Sequence, residues 1–214
     1  GNVSGIDREA GLVVIKPSGV SYGEMVPDQM VVVDLGGRLV EGSLRPSSDT
    51  PTHLVLYRAF ECIGGVAHTH SSHATAWAQA RRPLPCYGTT HADAFWGEVP
   101  VTEDLTREAI AGDYEAETGE AIVRAFAGKA PADMRAVLVA GHGPFTWGPT
   151  PAAAVESSII LEEVVRTALI TEIINPGANP IARELLDKHF LRKHGADAYY
   201  GQPDGAKGST DVHG

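Results

Sequence analysis

Short runs of β-branched residues alternate along this chain with longer segments of helical period, and that alternation restricts the fold to the α/β class. "GLVVI" (11–15) and "MVVVDL" (30–35) are strand-length runs bounded by Gly, Pro or Asp. "PTHLVLYRAF" (51–60) reads as a helix: Pro51 suits a first turn, and Ser48, Asp49 or Thr50 is placed to cap it. "GVAHTH" is a strand and "SHATAWAQA" the helix after it. "TREAIAGDYEAETGEAIVRAFAG" (106–128) predicts one or two helices and "RAVLVAGHG" (135–143) another strand. "PAAAVESSIILEEVVRTALITEII" (151–174) is a long helix with a broad apolar stripe, and "PIARELLDKHFLRKHG" (180–195) a last one, stopped at Gly195. The sum is a sheet covered by helices.

The chain has 9 histidines and places three of them, His68, His70 and His73, within "GGVAHTHSSHATAWAQA". On an extended strand, side chains at i and i+2 share a face, so His68 and His70 project together. Two imidazoles at the polar end of a strand form a bidentate grip on a transition metal, although they would serve equally as an ordinary hydrogen-bonded pair. His73 falls in the next helix and is expected to be structural. A third ligand is offered by "VLVAGHGPFTWG", where His142 follows another strand between Gly141 and Gly143. Flanking glycines let the backbone turn sharply and keep the ring accessible. Taken alone, Gly-His-Gly reads rather as a turn without a ligand, but two strand ends each carrying histidine together point to a three-histidine site with an open position, the arrangement of catalytic metals.

Three loops, "GNVS" (1–4), "KPSG" (16–19) and "PSSDT" (46–50), are rich in small hydroxyl, amide and glycine groups. Backbone N–H groups in such turns and at helix starts point at anions, with Lys16 adding a positive charge. Local donors are needed, because the formal net charge is −10. That balance argues against nucleic acid or a membrane surface as a partner. No apolar run approaches the ~20 residues of a membrane helix. Cys62 and Cys86 are far apart in sequence, which suits a reducing compartment and a cytoplasmic location. A chain of 214 residues with 43% hydrophobic content is sized for one domain. The Gly-rich polar end predicts a disordered tail at 203–214 after a domain at 1–202. The start at "GNVSG", with no initiator Met, reads as a chain missing its first segment.

The set "GNVS", "VIKPSGV", "EGSLRPSSDTPTH", "GGVAHTHSSHATAWAQA", "GTTHADAF", "GHGPFTWG" and "LLDKHFLRKHGADAYYGQ" resembles the class II aldolase-like metal enzymes, and within them the sugar-phosphate 4-epimerases. The resemblance implies a three-layer α/β/α sandwich around a mostly antiparallel sheet of about nine strands, assembled as a homotetramer. It implies that His68, His70 and His142, with Asp49 as a further ligand, hold Zn2+ or another divalent metal such as Mn2+. It assigns phosphate binding to Gly1, Asn2, Lys16, Ser18, Gly19, Ser47 and Ser48. It makes Asp93 and Tyr200 the catalytic acid/base pair, with Thr89 and His189 in support and Tyr200 supplied by a neighbouring subunit. By themselves, Asp93 reads as a turn former, Tyr200 as surface packing, and Glu115 and Glu117 as solvated helix residues.

The implied reaction interconverts L-ribulose 5-phosphate and D-xylulose 5-phosphate, as in the breakdown of L-arabinose. Carbon 4 is not adjacent to the carbonyl, so direct deprotonation there is difficult. Cleaving and re-forming the bond between carbons 3 and 4 avoids the difficulty, with the metal as Lewis acid. An aspartate and a tyrosine, ordinarily near pKa ~3.9 and ~10, are then expected to be drawn toward neutrality. The alternatives are an aldolase on the same scaffold, in which glutamate takes the place of Asp49, and an adducin-like binding module, which lacks the metal histidines.

Overall fold

The computed structural model describes residues 1–200, so the expected tail at 203–214 lies outside the described residues. Seven strands form one sheet: β1 (Asn2–Asp7), β2 (Leu12–Ile15), β3 (Val31–Asp34), β4 (Leu39–Glu41), β5 (Gly65–His68), β6 (Ala136–Val139) and β7 (Gly143–Gly148). Their order is β4-β3-β2-β1-β5-β7-β6, and every neighbouring pair is antiparallel. The α/β sandwich with an antiparallel sheet is as expected. The described residues carry seven strands rather than nine, because further pairings stop at single bridges: Pro17 with Pro46, Leu84 with Val99, and Val101 with Leu138. Prolines have no N–H to extend such a ladder.

The largest departure from the sequence reading is at the amino end. "GNVS" is not a loop: Asn2–Asp7 is a strand inside the sheet, between β2 and β5. Its inward side chains, Asn2 and Ser4, are polar, which hid the alternation. They are buried because polar partners meet them, with Ser4 Oγ 2.7 Å from His53 Nδ1 and 2.8 Å from Tyr57 Oη. β7 was also hidden. "GPFTWG" carries two glycines and a proline, yet every residue of it is buried. Trp147 stays there by donating its indole N–H to Pro131 O (2.8 Å) and packing on Phe60 and Phe126. Burying a large apolar side chain of this kind is worth about 1.5–3 kcal/mol.

Helices α1 (Thr50–Ala59) and α5 (Tyr114–Ala125) stack on one face, and α2 (Ser72–Gln79) and α6 (Pro151–Ile174) cover the other. The first pair approaches closely because α5 carries Gly119, where a Cβ would lie 2.7 Å from Val55 Cβ. On the opposite side Thr146 Oγ1 and Ser157 Oγ tie α6 to the sheet, donating to Ala154 O (2.9 Å) and Trp147 O (3.1 Å). The segment at 106–128 forms α4 (Arg107–Ala111) and α5, broken at Gly112. Short α3 (Thr89–Ala92) packs on the last helix, α7 (Arg183–His194). Asp49 occupies the N-cap of α1, but its carboxylate makes no capping bond. That carboxylate is held elsewhere.

Candidate metal centre and anion pocket

β5 ends at His68, and His70 lies two residues on, past the last strand pairing. The shared face persists, and the two Nε2 atoms stand 2.9 Å apart. His142 sits in the three-residue connection between β6 and β7. Gly141 supplies the left-handed conformation that turn needs, with φ +69°. Gly143 has another role: it is already the first residue of β7, and a Cβ there would lie 3.0 Å from Thr69 O. Because β5 pairs with β7, His68 opposite Phe145, the two strand ends meet. One ligand atom from each of His68, His70 and His142 falls within 4.8 Å of the others.

The electrostatics suit a cation. His68 is buried, and burial pulls its imidazolium down to about 4, so the ring is neutral at pH 7. Its Nδ1 lies 2.9 Å from Pro144 O, a carbonyl that can only accept. The proton therefore sits on Nδ1, and Nε2 presents a lone pair to the site, the outer contact that ligating histidines make. Burial, and then the charge of His70, also lower His142. His142 Nδ1 is 3.3 Å from Tyr114 Oη. His70 is exposed, which leaves one side of the trio open to a ligand. Three imidazoles with an open side fit a divalent ion such as zinc. Asp49 is not in the trio. Its Oδ2 stands 3.9 Å from His68 Nε2 and accepts from Asn2 Nδ2, so it borders the site where a fourth ligand was expected.

The same cavity, about 440 Å³, is lined by the trio, Asp49, Gly1, Asn2, Lys16, Ser18, Gly19, Ser47 and Ser48. All seven residues expected to bind phosphate thus face the three histidines. Two loops are stitched side by side, Ser18 N–H donating to Arg45 O (2.9 Å) and Ser47 N–H to Lys16 O (3.0 Å). Those two amides are engaged, which corrects the idea that they point at the anion. The serine hydroxyls, Lys16 and the start of α1 remain as attractive groups. Tyr114 and Glu115 also line the cavity and were missed. Glu115 is half-buried, not solvated. Its only sequence signal was an acid in a first helical turn, which the helix dipole explains equally well.

Asp93 and Tyr200 do not join this cavity in their own chain. The Asp93 carboxylate meets His189 Nδ1 (3.0 Å), Arg192 Nη2 (3.0 Å) and Lys193 Nζ (3.3 Å). Tyr200, exposed, lies over the same Arg192 and Lys193. Thr89 opens α3 and accepts from Asp93 N–H (2.8 Å). Asp93, Thr89, His189 and Tyr200 therefore form a second cluster. Partial burial raises the Asp93 carboxyl, but hydrogen bonds from His189, Arg192 and Lys193 outweigh it and hold it below the usual range. Within one chain the shift runs opposite to the expected drift toward neutrality.

The fold and trio define a class: an α/β/α sandwich with three histidines able to hold a metal ion, beside a cavity lined by two serine loops and Lys16. The chain belongs to the family described as the class II aldolase and adducin N-terminal domain, whose model matches residues 1–169. It is 55% identical over 202 residues to an L-ribulose-5-phosphate 4-epimerase UlaF of Salmonella paratyphi A, covering 94% of this chain and 89% of the relative. Among solved structures it resembles an L-fuculose 1-phosphate aldolase, with TM-score 0.74, 27% identity, and coverage of 88% of this chain and 82% of that one. YgbL of Klebsiella pneumoniae, described as a putative aldolase/epimerase/decarboxylase, superposes with TM-score 0.67 at 26% identity, covering 88% and 86%. No helix among the described residues is long and apolar enough to cross a membrane.

Proposed function

We propose that this chain is a metal-dependent 4-epimerase interconverting L-ribulose 5-phosphate and D-xylulose 5-phosphate by cleaving and re-forming the bond between carbons 3 and 4. The observation that carries this reading is the single cavity in which three histidine nitrogens face two serine loops and Lys16. That layout holds a sugar phosphate by its charged end with its carbonyl end at the metal centre. His68, His70 and His142 would hold the ion, with Asp49 beside them. Zn2+ is favoured by the imidazole donors, with Mn2+ an alternative. An ion held there would supply Lewis-acid chemistry to the substrate's carbonyl end. Ser18, Ser47, Ser48 and Lys16 keep the phosphorylated fragment in place while its aldehyde turns over, so both faces can be re-joined. Glu115 and Tyr114 wall the cavity.

Two proton-handling groups on opposite faces complete the reaction, and Asp93 with Tyr200 is the pair proposed for it. Since neither lines the cavity of its own chain, they serve the cavity of an adjacent subunit in a homotetramer. The enzyme works in the cytoplasm, in keeping with two free cysteines. The aldolase reading has one observation on its side, the likeness to an L-fuculose 1-phosphate aldolase. Substrate labelled with deuterium at carbon 4 separates the possibilities. Retention of label in D-xylulose 5-phosphate, with activity lost to a chelator, supports the epimerase. Loss of label to solvent would mean direct deprotonation, and accumulation of free glycolaldehyde phosphate would mean an aldolase.

A further inference from the structure

His70 stands in a span of three residues that neither β5 nor α2 includes, since β5 ends at His68 and α2 begins at Ser72. The one backbone bond at its start is long, Thr69 N–H to Pro144 O at 3.4 Å. Its placement therefore depends on how α2 is held at the other end of the span. Ser71 occupies the N-cap of α2, yet its side chain makes no capping bond. The amides at that end, which have no partner within α2, are taken instead by a residue from another helix. Glu162 of α6 accepts from His73 N–H (2.9 Å) through Oε1 and from Ala74 N–H (2.9 Å) through Oε2. Its Oε1 also meets His73 Nδ1 at 2.7 Å. A carboxylate at a helix N-terminus is favoured by the dipole and satisfies otherwise unpaired donors.

A serine N-cap secures only its own helix, whereas a carboxylate from α6 ties the start of α2 to an element fixed on the sheet. Partial burial would raise the Glu162 carboxyl, but the two backbone N–H groups and the flanking side chains overcome it and pull it down to about 2. The acid is thus ionised wherever the protein is folded near neutral pH. We propose that Glu162 is a positioning residue for the metal centre, capping α2 from α6 and thereby fixing where His70 stands relative to His68. It touches neither metal nor substrate. Its effect passes through Ser71 and the span that carries the exposed ligand.

The inference rests on the reading that the three histidines bind a divalent ion, and Co2+ is the probe because its visible spectrum reports coordination. Wild type, Glu162→Gln, Glu162→Leu and Glu163→Leu are compared by chelator competition and by spectrum, with circular dichroism as a check on folding. Glu163 is a control on the same helix, its carboxylate paired among the described residues with Arg166 on the surface. Direct outer partners of metal ligands typically contribute 10–100-fold in affinity, and Glu162 acts one link further out, so Glu162→Leu should weaken Co2+ binding by about tenfold. Glu162→Gln keeps one acceptor oxygen and should fall between it and wild type, both with altered absorption. Glu163→Leu should match wild type. Co2+ bound by either Glu162 variant with wild-type affinity and spectrum would overturn the proposal. Should Glu162→Leu fail to fold, Glu162→Gln decides alone by the same two readouts. Failure of wild type to bind Co2+ at all would instead remove the metal reading itself.

Discussion

Asn2 and His68 are register partners across β1 and β5. Strand pairing therefore delivers the amide that holds Asp49 directly beside the most buried histidine of the trio. The consequence is a division between the three histidines, whose nitrogens converge, and a carboxylate kept at the margin by a neighbouring side chain.

That division predicts unequal losses of metal. His70→Asn should lose its ion on dialysis, a drop larger than the roughly 10–100-fold that removal of an outer partner produces. Asp49→Ala should retain most of its ion and lose affinity only within that range. Metal content measured after dialysis against a graded chelator series reads both. Equal losses in the two variants would make Asp49 a full ligand.

Acid should weaken the metal-free protein in a definite window. His91 is buried, and burial lowers its imidazolium to about 4, against 6.5 in an unfolded chain. Between those values the unfolded state binds a proton that the native state refuses, so stability falls as pH falls from 6.5 toward 4. The contribution of His91 is on the order of 3 kcal/mol. His53, lowered to about 3 by complete burial, adds to the same slope. Urea midpoints across this range should decline less steeply in His91→Leu than in wild type. Identical slopes would show that His91 is not a neutral buried ring.

Much of the fold was legible because the longer helices and strands β2, β3, β5 and β6 followed simple periods, whereas the short edge strand β4 and the one-turn α3 carried no such pattern. The segment 151–174 forms a helix over just that range, and "GLVVI" and "MVVVDL" are β2 and β3. β1 and β7 were not legible, because polar inward residues and strand glycines derive their sense from partners far along the chain. At the site, the spacing of His68 and His70 could be read from the geometry of an extended chain. Tyr114 and Glu115 reach the cavity only because α5 stacks on α1, and that contact has no local signature. The separation of Asp93 from the trio was likewise unreadable, being a matter of where α3 and α7 pack.

The serine loops should be sensitive to added negative charge. Ser48 is exposed within the cavity, where its hydroxyl can face a phosphate. A second anion at about 4 Å costs roughly 1–4 kcal/mol near a protein surface, so Ser48→Asp should raise KM for the pentulose phosphate at least about fivefold. Ser48→Ala loses only a neutral donor and should change KM far less. Steady-state kinetics on both variants decide it, and a Ser48→Asp enzyme with an unchanged KM would move the phosphate elsewhere.

The two clusters of the chain lead to the last expectation. Asp93 and Tyr200 gather around Arg192 and Lys193, while the histidine cavity contains neither. If each cavity is completed by a neighbour, damage to the two clusters can be complemented between chains. His70→Asn protein keeps Asp93 and Tyr200 but lacks a ligand; Tyr200→Phe protein keeps the metal centre but lacks the phenol. Each alone should be nearly inactive. In hybrids formed at equal amounts, an intact centre meets an intact neighbour at about a quarter of the sites of a closed ring, so about a quarter of wild-type activity should return. Substituting Asp93→Asn for Tyr200→Phe in the mixture should give the same recovery, since the two residues share a cluster. Were both residues to serve the metal of their own chain, every site in every hybrid would stay defective. Mass measurement of the mixed oligomers shows whether hybrids have formed, and hybrids without recovered activity would defeat the shared site.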